Sequence, residues 1–277
     1  MRTIGFIDYY LDEWHASEYP SLIKDYNEKH GEDFKVTCAW GEIDAPSGKT
    51  NAEWCEEHGV TLCNSLEEVC KRCDCIILLA PDNPEVHLRY AKRIFASGKP
   101  TFIDKTFVSC YNEAEEIYEA ADEAGARFFS TSALRYAEEI APLCGSKSVY
   151  TVGGGPSPDA YIIHQVEMLV SCIGTGAKKV RVTKDGASLR CEIEYPDERR
   201  GGVCYNPDAF YYASSEPISD GEGIAIRRNF FVGSMAAILD FFKSNILPFG
   251  REQTLECMKI RDGVLEGIEK LSEWINL

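Results

Sequence analysis

The stretch from Cys75 to Thr106 decides the fold. It opens with Cys75-Ile-Ile-Leu-Leu-Ala80, apolar throughout, and continues Pro81-Asp-Asn-Pro84. After a helix-length segment closed by Gly98 it reads Pro100-Thr-Phe-Ile-Asp104-Lys105-Thr106. An unbroken apolar run of that length is a strand covered on both faces. Asn83 and Pro84 supply an N-cap and a proline at the first helical position, so a helix runs from there to Ser97. Pro100–Asp104 is the next strand. Strand, helix and strand at this spacing form a right-handed βαβ unit.

The same alternation extends both ways. Upstream, Thr3–Asp8 is a buried strand, and Trp14, Tyr19, Leu22, Ile23 and Tyr26 recur at helical spacing up to Gly31. Phe34–Ala39 is a second strand. Thr50-Asn-Ala-Glu53 is a capping box for a short helix that Gly59 ends, Val60–Cys63 is a third strand, and Ser65-Leu-Glu-Glu68 is a second capping box. Downstream, residues 112–124 form a helix ending at Gly125, and Arg127–Ser130 is a sixth strand. Strands separated by helices of this length predict an α/β fold with a parallel, doubly wound sheet over residues 1–130.

Residues 131–277 change character. Ala137–Leu143 and Ala160–Cys172 have helical patterns. Lys179–Thr183, Ser188–Tyr195, Gly202–Tyr205 and Gly223–Phe231 read as strands with only turns between them, which predicts an open, mainly antiparallel sheet. Two helices, Ser234–Asn245 and Glu252–Trp274, are expected to finish the chain. The boundary between the two architectures falls near Ser130–Leu134.

Composition narrows the function classes. The 277 residues carry 29 Lys+Arg against 45 Asp+Glu, a formal net charge of −16. That balance argues against nucleic acid or an anionic membrane as partner. No apolar run reaches the roughly 18 residues that span a bilayer. The opening residues read as a strand rather than a secretory leader, so the expectation is a cytoplasmic protein. Twelve cysteines are scattered, several of them inside apolar runs. Cys70, Cys73 and Cys75 form the one cluster and lack a second pair or histidines at zinc spacing, so no metal is expected.

In an open α/β sheet, ligands bind at the carboxyl ends of the strands. That selects Asp8–Glu13, Ala80–Asn83, Asp104–Thr106 and Thr131–Arg135. Lys105 follows an apolar strand at this end, where partial desolvation suits a general acid. His164 lies in an apolar helical stretch. His87 reads by position as a packing group, and His15, His30 and His58 as solvated.

Four segments, in order, resemble one family: Asn83-Pro-Glu-Val-His87, Gly98-Lys-Pro-Thr-Phe-Ile-Asp-Lys-Thr106, Ser130-Thr-Ser-Ala-Leu-Arg-Tyr136 and Ile163-His-Gln-Val-Glu-Met-Leu169. Together they are similar to the glucose–fructose oxidoreductase/inositol dehydrogenase/MocA family. The resemblance implies a Rossmann-like dinucleotide-binding domain (1–130) and a C-terminal α/β substrate and oligomerisation domain (131–277). It implies NAD or NADP as cofactor and a sugar, polyol or related polyhydroxylated substrate lying between the domains. Lys105 matches the catalytic lysine, Asp104 the acid that helps to hold it, and His164 the histidine that exchanges the substrate proton. Asp8, Tyr9, Tyr10, Ala80, Pro81, Asn83 and His87 match cofactor-side positions. Arg135 and Tyr161 are placed near substrate. Family members pair through the open sheet, and an uncovered apolar face needs a partner, so a homodimer or homotetramer is expected.

Three departures stand beside this. Where a Gly-x-Gly-x-x-Gly turn would meet the pyrophosphate, the chain has Asp8, Tyr10 and Glu13. Each like-charge contact there would cost on the order of several kcal/mol, against about 8 kcal/mol for micromolar binding. The strand-two end, Trp40-Gly41-Glu42, offers Glu42 for the ribose hydroxyls from a remodelled loop. Thr106 replaces a proline, so no cis turn is expected. Two readings follow: an oxidoreductase with an unusual cofactor mode, or a relative that has lost the dinucleotide and serves as a sugar-binding or assembly protein.

Overall fold

The computed structural model describes residues 1–217 and 223–277. The chain divides into two units, Met1–Thr131 with Met235–Phe249, and Ser132–Ser234 with Gly250–Leu277. The first departs from a division at residue 130 by taking in a distant segment.

In the first unit, β1 (Arg2–Asp8), β2 (Phe34–Gly41), β3 (Thr61–Leu62), β4 (Cys75–Leu78), β5 (Thr101–Ile103) and β6 (Phe128–Ser130) form one sheet in the order β3-β2-β1-β4-β5-β6. Every pairing is parallel, and the order reverses between β1 and β4. The helices are α1 (Trp14–His30), α2 (Asn51–His58), α3 (Leu66–Arg72), α4 (His87–Phe95) and α5 (Tyr111–Ala124). All four residues of β4 are buried, as its apolar run requires. The α2 capping box forms as read, with Thr50 and Glu53 satisfying each other's backbone amides. The second box is shifted: Ser65 caps the Glu68 amide, but the Glu68 carboxylate turns to the Asn64 amide. Asn83 does not cap its helix. Its side chain donates to Glu85, and a 3-10 turn over Pro84–Val86 leads into α4.

A sheet this closely covered leaves no room at some positions. A Cβ on Gly5 would lie 2.3 Å from Val69 Cγ1, so β1 and α3 pack through the missing side chain. The segment from Met235 completes this unit. It belongs to α7 (Phe230–Ser244), and Tyr26 Oη donates to Asp240 while Arg2 donates to the Phe242 carbonyl. The Phe129 ring meets Phe241 and Phe249 edge-on.

The second unit holds β7 (Ser148–Gly153), α6 (Pro158–Ile173), β8 (Lys179–Asp185), β9 (Ser188–Glu194), β10 (Arg200–Tyr205), β11 (Tyr212–Ser214), β12 (Ile224–Ala225), α8 (Arg251–Glu269) and β13 (Trp274–Asn276). The sheet order is β12-β11-β7-β10-β9-β8-β13. It is antiparallel except where β7 and β10 run parallel. The sequence reading missed β7, β11 and β13. It placed a strand over Gly223–Phe231, where only Ile224–Ala225 pairs and Phe230 already opens α7. It also carried the last helix into Trp274, which instead pairs with β8. α6 and α8 pack against this sheet, and Val180, Val182, Leu189, Cys191 and Ile193 are buried.

The sheet also lines a concavity of about 410 Å³ that includes Tyr150, Arg181, Arg190, Glu192 and Arg200. Val152, Ile193 and Val203 line it as well, and Arg181–Glu192 and Lys179–Glu194 ion pairs join β8 to β9. No helix among the described residues is long and apolar enough to cross a membrane.

Candidate active site

At the carboxyl ends of β1, β4 and β5 in the first unit, Asp8 is the organising residue. Its Oδ1 accepts from the Tyr9 amide at 2.7 Å and the Ala80 amide at 3.0 Å. The second bond holds Ala80 at φ 63°, a left-handed conformation that a non-glycine residue adopts only at some cost. Asp8 is only 1% exposed, and its Oδ2 is buried without a hydrogen-bond partner. Burial, then Glu13 and Asp104, push its carboxyl well above the usual range, against the two amides that lower it. Asp8 thus faces inward and shapes the Ala80–Asn83 turn. Tyr9 and Tyr10 are half-buried on the following loop, and burial followed by Asp82, Asp8 and Glu13 raises the Tyr10 phenol.

Lys105 ends β5. Its side chain is 9% exposed, and Nζ donates to the Pro81 carbonyl at 3.3 Å and approaches Asp82 Oδ1 at 3.6 Å. The turn Ala80–Asn83 and the lysine are therefore one assembly. Asp104 Oδ1 accepts from the Lys105 backbone amide at 2.8 Å. The Lys105–Thr106 peptide is cis, which corrects the expectation drawn from the missing proline.

His87, read by position as a packing group, is one. It is fully buried, with Nδ1 on the Phe107 carbonyl and Nε2 on the Leu79 carbonyl. Burial lowers its pKa, against the two carbonyls that raise it. It braces β4 to the segment after Lys105 and offers no ring atom to a cofactor. Glu42 is engaged too: both its oxygens take the Arg89 guanidinium, and Tyr90 donates to it.

Sequence reasoning named Glu13 at the pyrophosphate turn but missed its role as a helix cap, and it missed His15. Glu13 is the N-cap of α1, its carboxylate accepting from the His15 amide at 2.7 Å and from the Ala16 amide. His15, read as solvated, has a side chain only 14% exposed, with Nδ1 3.1 Å from Glu13 and Nε2 3.7 Å from Asp104 Oδ2. Burial opposes its imidazolium, but Asp104 and Glu13 prevail and raise its pKa. The loop between β1 and α1 is braced further. Asn51 accepts from the Leu11 amide, and Asp12 accepts from the Lys49 amide. Asp12 lies so close to Gly48, at φ 121°, that a Cβ there would be 2.2 Å from its Oδ2.

These residues divide the test of a dinucleotide in two. The Ala80–Asn83 turn with Lys105 fits the nicotinamide end, offering a shaped backbone and one enclosed cation. The N-terminus of α1 does not fit a pyrophosphate as it stands, because two of the amides that would meet it already bond Glu13.

In the second unit, His164 lies on α6. Its Nδ1 is 2.6 Å from Ser132 Oγ, which also accepts from the Leu134 amide. Tyr161 and Tyr211 pack on the His164 ring, each with centroids 5.7 Å away. Tyr211 Oη is held by the Gly154 carbonyl. Ser132 and Tyr211 were missed, since neither lies in a segment with periodic signal pointing to His164. Arg135, expected near substrate, is committed elsewhere. Its side chain is 6% exposed, with Nε on Glu167 at 2.7 Å and a terminal nitrogen on Gln253 at 2.6 Å. It ties the turn after Ser132 to α6 and α8.

The cysteine cluster disperses. Cys73 Sγ faces Cys38 at 3.1 Å, and among the described residues no group of three or more His, Cys, Asp or Glu is arranged to hold a metal ion.

Comparison with known proteins agrees with the architecture. Residues 21–132 match the model of the oxidoreductase family with an NAD-binding Rossmann fold, Gfo/Idh/MocA. No curated protein matches the chain. Among solved structures, a probable dehydrogenase from Thermotoga maritima superposes with a TM-score of 0.77 at 11% identity, covering 99% of this chain and 98% of that one. Apo scyllo-inositol dehydrogenase from Lactobacillus casei gives 0.75 at 13% identity, with 99% and 98% covered. GenD2 from gentamicin A biosynthesis, in complex with NAD, gives 0.76 at 10% identity, with 100% and 97% covered. The fold is thus shared over the whole length, and residues 21–132 are similar to the NAD-binding Rossmann domain of the Gfo/Idh/MocA oxidoreductase family.

Proposed function

We propose that this chain is an NAD(P)-dependent oxidoreductase that transfers hydride between a nicotinamide and a sugar, polyol or related small polyhydroxylated molecule. The observation that carries it is Lys105, an enclosed ammonium at the carboxyl end of β5, bonded to the turn that follows β4. The family match over residues 21–132 supports the cofactor class, and the inositol dehydrogenase among its structural neighbours supports the substrate class. Lys105 is assigned to hydrogen-bond the reacting hydroxyl or keto oxygen, with Asp104 fixing its backbone. His164, its ring oriented by Ser132, is assigned to exchange the substrate proton, with Tyr161 and Tyr211 shaping its surroundings. The protein is placed in the cytoplasm, as a homodimer or homotetramer.

The test is a panel of inositols, aldoses and polyols with NAD and NADP, followed by absorbance of the reduced cofactor. At least one substrate is expected to turn over, and Lys105→Met and His164→Ala are expected to lower kcat by roughly 10²–10⁴. Turnover that survives both substitutions, or a panel without any, refutes the assignment.

A further inference from the structure

The N-terminus of a long helix is a natural seat for an anion, because its first amides point outward and its dipole favours negative charge. In a dinucleotide-binding sheet that seat, at the end of the first strand, holds the pyrophosphate. Here α1 is 17 residues long and begins at this place, and the chain provides its own anion. Glu13 has extended backbone, φ −135° and ψ 169°, and folds its carboxylate back onto the His15 and Ala16 amides. Glutamate is not a preferred N-cap residue; Ser, Thr, Asp and Asn are.

A second carboxylate marks the same loop. Asp8 Oδ2 is buried without a hydrogen-bond partner, so an acidic group already lies beside the seat. On the far side of Glu13, His15 links it to Asp104, the residue whose other oxygen holds the Lys105 amide. The occupied helix end is therefore joined through named contacts to the lysine of the proposed reaction.

We propose that the Glu13 carboxylate is an internal anion filling the phosphate seat of α1, so that a dinucleotide binds only by displacing it. The proposal rests on the oxidoreductase reading for the identity of the displacing ligand. The occupied seat itself does not depend on that reading. A dinucleotide entering here exchanges one anion for another on the same amides, so its net gain is small. Cofactor affinity is set by how readily Glu13 leaves.

Two measurements on the full chain separate the parts. The first uses inorganic pyrophosphate and the thermal midpoint. Wild type is expected to show no specific rise, whereas Glu13→Ala starts lower and recovers as pyrophosphate fills the vacated amides. The second is fluorescence titration with NADH and NADPH, in which Glu13→Ala is expected to bind at least about tenfold tighter, the scale of one N-cap interaction. Should Glu13→Ala fold poorly, Glu13→Gln removes the charge and keeps the side chain, and the same ordering is expected. Equal response of wild type and variants to pyrophosphate overturns the proposal, as does a variant that binds reduced cofactor no tighter while wild type binds it well. Selective rescue by pyrophosphate, with no cofactor binding to any of the proteins, overturns the oxidoreductase reading and leaves the occupied seat standing.

Discussion

Asp8→Asn tests the electrostatics of the β1 end directly. Asparagine keeps an oxygen for the Tyr9 and Ala80 amides and removes the charge from the position of Oδ2, which is buried without a partner. An unsatisfied buried acceptor costs about 1–3 kcal/mol, and more when charged. Glu13 and Asp104 add repulsion. In the fold the Asp8 carboxyl titrates above its unfolded value near 3.8. Between those two values the folded chain binds more protons than the unfolded one, so stability falls as pH rises through the window. The substitution is therefore expected to stabilise, by little near pH 4 and by about 1–3 kcal/mol at pH 7.5. For a chain of this size each kcal/mol raises the thermal midpoint by roughly 2–4 °C. Calorimetric melting of both proteins from pH 4 to pH 8 measures the difference. A variant that melts lower at neutral pH, or a gain that stays flat across the range, refutes the account of Asp8 as a strained carboxyl rather than a cofactor contact.

Other substitutions probe the packing around the sites. Arg135→Met leaves Glu167 buried without its cation and should lose about 3–5 kcal/mol in urea unfolding, with most of it regained in Arg135→Met/Glu167→Leu. A substrate contact would instead raise KM and leave unfolding unchanged. Gly5→Ala drives a methyl into Val69 and should cost about 1–3 kcal/mol by thermal melting, relieved by adding Val69→Ala.

Much of the first unit was legible because its signals are local. Apolar runs such as Cys75–Ala80, the Thr50 capping box and the glycines at 31, 59 and 125 each act within a few residues, and each of those glycines adopts positive φ at a helix end. The second sheet was harder to read. β7 runs parallel to β10 from some fifty residues away, and β13 is a three-residue strand whose identity comes only from β8. No local pattern encodes such pairings. The site divides the same way. Lys105, Asp104 and His164 were singled out through position and motif resemblance, but Ser132 and His15 were not. Ser132 faces His164 across 32 residues of sequence, and His15 meets Asp104 across 89. His87 was read by position as a packing group, and its contacts to the Phe107 and Leu79 carbonyls agree; the engagement of Arg135 with Glu167 and Gln253 had no local signal.

The return of Met235–Phe249 to the first unit bears on how the polypeptide is made. A ribosome that has released the first 131 residues has delivered every strand of the parallel sheet but not the phenylalanines that cover Phe129, nor the partners of Tyr26 and Arg2. The amino-terminal half must wait, incompletely covered, until about 120 further residues have been synthesised. A truncated gene product ending at the apparent boundary would inherit that exposed surface permanently.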